Sequence, residues 1–289
     1  MIAATVILNL AVSIAVGACL LGLGLARDAS EWAASRRRRV RAIALAATIA
    51  ALLASAALMC LEAVLMAESP LLEAWPAVWS ILTQSHYGFA WKIGAVALAA
   101  AALTLGSAPP DLTPGFSRSN LLALAAFLYS RSMVSHAAAD GDIGLAIIID
   151  WIHLMAISAW SGEVIVAGLA TLAFEGPQNS VADHVRALSS SATVALAVVV
   201  ATGAYSACHN VGSPANLAGS PYGATLLLKL ACVAAAVGLG AHNRFFVMPS
   251  VLAGASARRF MLVLRVEGAV LMVVLVLAAL LSATPPPLG

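Results

Sequence analysis

Residues 129–163 read YSRSMVSHAAADGDIGLAIIIDWIHLMAISAWSGE and gather Tyr129, Arg131, Met133, His136, Asp140, Asp142, Asp150, His153, Trp160 and Glu163 in a chain that is only 10% charged. Ionisable groups are expensive inside a bilayer, where they face a bundle interior, pair with one another and mark a pathway or a site. Imidazole binds copper in either oxidation state and thioether favours Cu(I), whereas magnesium and calcium prefer oxygen. A mixture of histidine and methionine therefore points to copper chemistry. Residues three and four apart share a helix face. That spacing predicts one stripe of Tyr129, Met133, His136 and Asp140 and a second of Asp150, His153, Ile157 and Trp160, with Glu163 well off the latter. Met59, Glu62 and Met66 predict a third stripe on an earlier helix, and Tyr205 and His209 a fourth, with Cys208 adjacent.

Each of these residues has a plainer reading. Methionine in an apolar helix is ordinarily packing, and a histidine at a helix end is ordinarily interfacial. His153 is different, because Asp150 stands one turn before it and both lie deep in apolar sequence; here the functional reading outweighs a satisfied structural pair. Arg131 is expected to neutralise Asp150, Glu62 or Glu163. Lys92 and Lys229 read as side chains snorkelling to the outer interface, and His184, in the polar run SVADHVRALS, carries no specific role.

The elements that position these residues follow from composition. With 289 residues, 62% of them hydrophobic, and a mean hydropathy of +0.97, the chain reads as an all-α polytopic membrane bundle. Crossing a bilayer takes roughly 20 apolar residues per helix. On that measure about eight spans are expected, near 2–26, 42–67, 88–106, 119–138, 145–174, 189–210, 223–243 and 260–283, in a single integral-membrane domain over 1–289. Residues 2–26 are expected to be a retained helix rather than a signal peptide, because the basic run follows them. Alternate connections carry Arg36 to Arg39 and Arg41, then Arg118, Arg186, and Arg244 with Arg258 and Arg259, while the others lack Lys and Arg. The positive-inside rule then places both termini outside the cytoplasm. His86, His136 and His209 fall at the outer ends of their helices on this topology, and His153 lies deeper. Trp75, Trp79 and Trp91 fit the outer interface, with a short surface helix between Ser69 and Ser85.

Ser85-His86-Tyr87-Gly88 and Ser220-Pro221-Tyr222-Gly223 open helices four apart in order, each followed by a lysine, Lys92 or Lys229. The pattern suggests two parallel four-helix halves, 1–140 and 141–289, related by an axis along the membrane normal. Cys19, Cys60, Cys208 and Cys232 lack the spacing of a disulfide framework or a zinc site. The absence of a GxxxxGK[ST] loop argues against ATP-driven pumping, and neither nucleotide nor nucleic acid is an expected partner.

The segment SHAAADGDIGLAIIIDWIHLMAISAWSGE, with His136, His153, Trp160 and Gly162, resembles the CopD (PcoD) family of bacterial inner-membrane copper proteins. ATGAYSA at 201–207, SPYGATLLLKL at 220–230, HNRFFVMPSV at 242–251 and TQSHYGFAWK at 83–92 extend the resemblance over roughly residues 70–285. It implies copper handling in the bacterial cytoplasmic membrane, usually uptake from the periplasm, with a periplasmic CopC-type copper-binding protein as partner. It also implies His136 and His153 as ligands; depth adds His86, His209, Met133 and Met59, with Asp150, Glu62, Arg131, Trp160 and Tyr129 in supporting roles. The expected activity is a copper permease, not an enzyme, binding Cu(I) or Cu(II). Two alternatives stand beside it. One is a b-type cytochrome holding haem between histidines such as His136 and His209. The other is a scaffold that holds copper without moving it.

Overall fold

The computed structural model describes residues 1–107, 114–139, 141–171, 176–211, 217 and 219–285. Helices α1 (Ile2–Leu25), α2 (Glu31–Ala67), α3 (Trp75–Gln84), α4 (His86–Ser107) and α5 (Pro114–Ser132) precede a one-turn 3₁₀ helix, His136–Ala138. After it come α6 (Leu145–Val166), α7 (Gln178–Val211), α8 (Pro221–His242), α9 (Met248–Leu252) and α10 (Arg258–Ser282). A π turn, Ala167–Thr171, extends α6, and a second, Asn243–Val247, joins α8 to α9. Among the described residues there is no strand, and the architecture is the expected all-α bundle.

Among the described residues seven helices are long and apolar enough to cross a membrane, against the eight expected. The fourth expected span, α5, falls short because Ser117, Arg118, Ser119 and Asn120 crowd one end and Ser130, Arg131 and Ser132 the other. Its 19 residues still reach about 28 Å at about 1.5 Å each, close to the thickness of a hydrocarbon core. It packs lengthwise on α4 and also meets α1 and α6.

Local chemistry fixes the helix ends. Ser30 caps α2 by accepting from the Ala33 amide at 3.2 Å, and the helix stops at Glu68, a left-handed residue with φ of 48°. The two repeat motifs are the same device used twice. Ser85 Oγ accepts from the Gly88 amide at 2.9 Å, and Ser220 Oγ from the Gly223 amide at 3.0 Å. In both, the glycine lets the first turn lie against the preceding segment, where a Cβ would strike the carbonyl of Ile81 or Leu217. The expected surface helix is α3, which exposes Trp75 and Trp79. Trp91 instead turns inward and donates to the Ser55 carbonyl at 3.1 Å, tying α4 to α2.

Helix α1 is central, meeting α2, α5, α6, α7 and α10. It approaches α6 closely, where Ser13 and Gly17 face Gly162. A Cβ on Gly17 would overlap the Gly162 backbone, and one on Gly162 would overlap the Ser13 carbonyl. Four-residue spacing of small residues is the usual means of bringing membrane helices this close, and here it holds α6, with Asp150 and His153, against the middle of the bundle.

Candidate functional site

A cavity of about 240 Å³ opens among α1, α5, α6, α7, α8 and α10, towards the end of the bundle that carries both termini. Its lining includes His136, His153 and His209 with Asp150, Arg131 and Lys229. It thus unites both residues implied by the resemblance with His209 and Asp150.

His153 is the best-defined donor. Its Nδ1 lies 2.9 Å from Thr202 Oγ1, and Thr202 Oγ1 lies 2.6 Å from the Val198 carbonyl, to which its single proton goes. The hydroxyl must then accept from the ring, so Nδ1 carries the hydrogen and Nε2 keeps a free lone pair. Gly203 leaves the imidazole its room, since a Cβ there would come within 3.3 Å of Cε1. A donor nitrogen whose opposite nitrogen is held by a neutral acceptor is the arrangement that orients histidine for metal binding. Thr202 and Gly203 were not among the expected site residues. Their signal was the ATGAYSA run, which places a hydroxyl and a glycine side by side in an apolar helix.

His136 reaches the cavity by a different route from the one its spacing predicts. Helix α5 ends at Ser132, and Ser135 caps the following 3₁₀ turn by accepting from the Ala137 amide at 3.2 Å. The stripe Tyr129, Met133, His136 is therefore broken, and Asp140 lies outside the described residues. His136 is exposed at the cavity mouth, as is His209, whose ring stacks on Tyr205 with centroids 6.0 Å apart. Ser135 Oγ also lies 3.2 Å from Asp150 Oδ2. Arg131 lines the cavity but, among the described residues, forms no ion pair with Asp150, Glu62 or Glu163. The carboxylates are met by hydroxyls instead: Asp150 by Ser135, and Glu163 by Ser191 at 2.6 Å. Lys229, read from sequence as a snorkelling residue, lines the cavity; Lys92 is exposed.

The remaining expected residues stand elsewhere. His86 binds Asp142, with Nε2 to Oδ1 2.8 Å, on the surface. Met59 packs with Ala63, Ala74, Val78 and Ile81, and Met133 with Ala90 and Ile147. Glu62 is half-buried on α2 away from the cavity. Tyr129 donates its hydroxyl to the Asp142 carbonyl at 2.6 Å and packs edge-on to Trp151, pinning the α5–α6 connection. Trp160 faces away from His153's cavity and donates to Glu267 Oε1 at 3.2 Å. His184 is buried against the edge of Trp32. Among the described residues no three His, Cys, Asp or Glu side chains gather as a metal cage. The histidines are spread over α6, α7 and the turn after α5.

Family models match both ends of the chain: "Copper resistance protein D-like, N-terminal domain" over residues 1–145 and "Copper resistance protein D" over residues 182–281. No curated protein and no solved structure gives a match. The first match takes in His136, and the second takes in Thr202, Gly203, His209 and Lys229. His153 lies between the two matched segments, outside both. With the N-terminal model alone spanning half of the chain and the second following in order, the chain belongs to the CopD family of copper resistance proteins.

Proposed function

We propose that this protein is a copper carrier of the bacterial cytoplasmic membrane, a permease and not an enzyme, which takes copper from the periplasm into the cavity around His153. The observation that carries the reading is the hydrogen bond between His153 Nδ1 and the Thr202 hydroxyl, which leaves the Nε2 lone pair of this cavity-lining imidazole free. His136 and His209, exposed at the mouth, are the entry donors, and His153 receives the ion at depth. Neutral imidazole suits copper in both oxidation states, and a hand-over between separate nitrogen donors needs no closed cage. The cationic groups Arg131 and Lys229 in the same cavity limit how tightly a cation is retained, with Asp150 offsetting part of their charge. On this reading the termini lie on the periplasmic side, where a CopC-type copper-binding protein delivers the metal near His136.

Metal analysis of the purified protein and radiocopper uptake into vesicles test the proposal together. Wild type is expected to retain copper and move it, and His153→Ala to lose both while keeping its helical content and elution volume. A doubly substituted protein, His136→Ala with His153→Ala, that bound and moved copper like wild type would sink the idea. So would a Soret band shifting on dithionite reduction, which would favour haem between the histidines.

A further inference from the structure

A second cavity, of about 210 Å³, lies towards the opposite end of the bundle, the end carrying Arg36 to Arg41 and Arg258. Trp160 of α6, Ser189 and Thr193 of α7, Gly240 of α8, Asn243 and Arg244 of the π turn, and Glu267 of α10 line it. On α7, α8 and α10 a buried apolar residue falls between the two linings in sequence, whereas on α6 the linings come within two residues of each other, at Ser158 and Trp160. Val199 stands between Leu196 and Tyr205, Ala236 between Lys229 and Val237, and Leu271 between Glu267 and Val274; all three belong to one core cluster with Ile157 and Trp160. The two cavities share no lining residue, and α7, α8 and α10 place an apolar layer between them.

Glu267 is only 3% exposed, and the hydrogen bond from Trp160 Nε1 is neutral. Asn243, equally buried, has an Oδ1 without a hydrogen-bond partner among the described residues, and it lines the same cavity. Asn243 Oδ1 is thus an acceptor in want of a hydrogen beside a carboxylate met only by a neutral donor. The other charged group in the lining is Arg244, whose Nη1 is occupied by Ser189 Oγ at 2.8 Å and Thr193 Oγ1 at 2.9 Å. The side chains contributed by α6, α7 and α8 are Trp160, Ser189, Thr193 and Gly240 with apolar neighbours, none of which titrates near neutrality. Gly240 leaves the carboxylate space, since a Cβ there would meet both its oxygens within 3.3–3.6 Å. A metal cation entering here would face Arg244 across the cavity, whereas a proton neutralises the carboxylate without further ligands. Intramembrane carboxylates in such surroundings are the usual stations of proton relays.

We propose that Glu267 binds and releases a proton through the cavity at the arginine-bearing end, and that this exchange is coupled to occupancy of the His153 cavity across the apolar layer. The proton site stands on its own geometry; the coupling rests on the copper-carrier reading. The proton moves between water in the cavity and a Glu267 carboxylate oxygen, with no other bond made or broken. Trp160 is a positioning residue, holding Oε1 by its hydrogen bond.

Two measurements on the full-length protein test this separately. In native membranes, dicyclohexylcarbodiimide, which adds to protonated carboxyls in apolar surroundings, is expected to modify Glu267. Peptide mass spectrometry should show the adduct declining as pH rises and absent in Glu267→Gln. An unmodified Glu267, or an adduct insensitive to pH, would overturn the proton site. In proteoliposomes, an imposed pH difference of one unit should change copper accumulation by about tenfold for one proton coupled per copper. Glu267→Gln should abolish that response while binding copper as wild type does, and Trp160→Phe should weaken it. A Glu267→Gln protein that kept the response would overturn the coupling. A wild type that moved no copper would overturn the coupling and the carrier reading together, leaving the labelling to judge the proton site.

Discussion

Thr202 decides the chemistry of His153 without touching a ligand. Its hydroxyl hands its proton to Val198 and receives one from the imidazole, which assigns the tautomer and aims the bare nitrogen. Thr202→Val keeps the shape and removes the acceptor. Losing such an outer partner typically lowers metal affinity by about 10- to 100-fold, and Thr202→Ser should restore most of it. Competition for copper against a chromogenic chelator reads both, and equal affinity for Thr202→Val and wild type would show that the hydroxyl does not orient a ligand. At this scale the sequence was legible where chemistry and depth coincided: His153 with Asp150 stood out because both are costly in apolar surroundings. Lys229 did not stand out, because a lysine near a helix start reads equally well as snorkelling; only the packing of α8 against α10 turns it to the cavity. Glu267, unmentioned among the expected residues, carried the same signal of a carboxylate inside an apolar helix.

Among the elements, α1 and α6 set the depth of the site. Their contact through Ser13, Gly17 and Gly162 is close enough that any side chain at Gly162 must separate the helices. Gly162→Val is expected to destabilise the protein by about 3 kcal/mol, at the upper end of overpacking costs, and to impair copper binding through the displacement of His153. Gly24→Ala, in the same helix as Gly17 but with nothing within 4 Å of an added Cβ, should be neutral or slightly stabilising, since alanine is the better helix former. Thermal unfolding in one detergent compares the two, and a Gly162→Val melting temperature equal to wild type would remove the α1–α6 contact from this account. Helix existence was legible from apolar runs, and helix ends were legible where Ser30, Ser85 and Ser220 supply caps. The end of α5 was not. Periodicity carries the helix on to 138, but the Ser135 hydroxyl donates to the Ser132 carbonyl and accepts from the Ala137 amide, and the chain turns early. That turn, not a helical stripe, delivers His136.

For the whole molecule, the question is whether the two halves suggested by the repeated Ser-x-Tyr-Gly openings are separable. The family matches fall on either side of α6, and both openings use the same cap and the same glycine contact. Yet α1, from the first half, packs on α6, α7 and α10 of the second, and the His153 cavity takes its lining from both. The repeat also fails in register at the lysine, which follows the glycine by a different interval in each copy and reaches the cavity only as Lys229. The halves are therefore interlocked parts of one bundle. The connection before α6 offers a direct test, because Ile143 is 88% exposed there. A protease recognition sequence inserted after Ile143 should permit complete cleavage of the folded protein. Both fragments should then co-elute in mild detergent and bind copper as the uncut protein does, separating only on denaturation, because the α1–α6 contact and the shared cavity survive the cut. Fragments that parted without denaturant would mean two autonomous halves. The cavity would then be an interface between them, and His153 would lose the rigid setting on which its role depends.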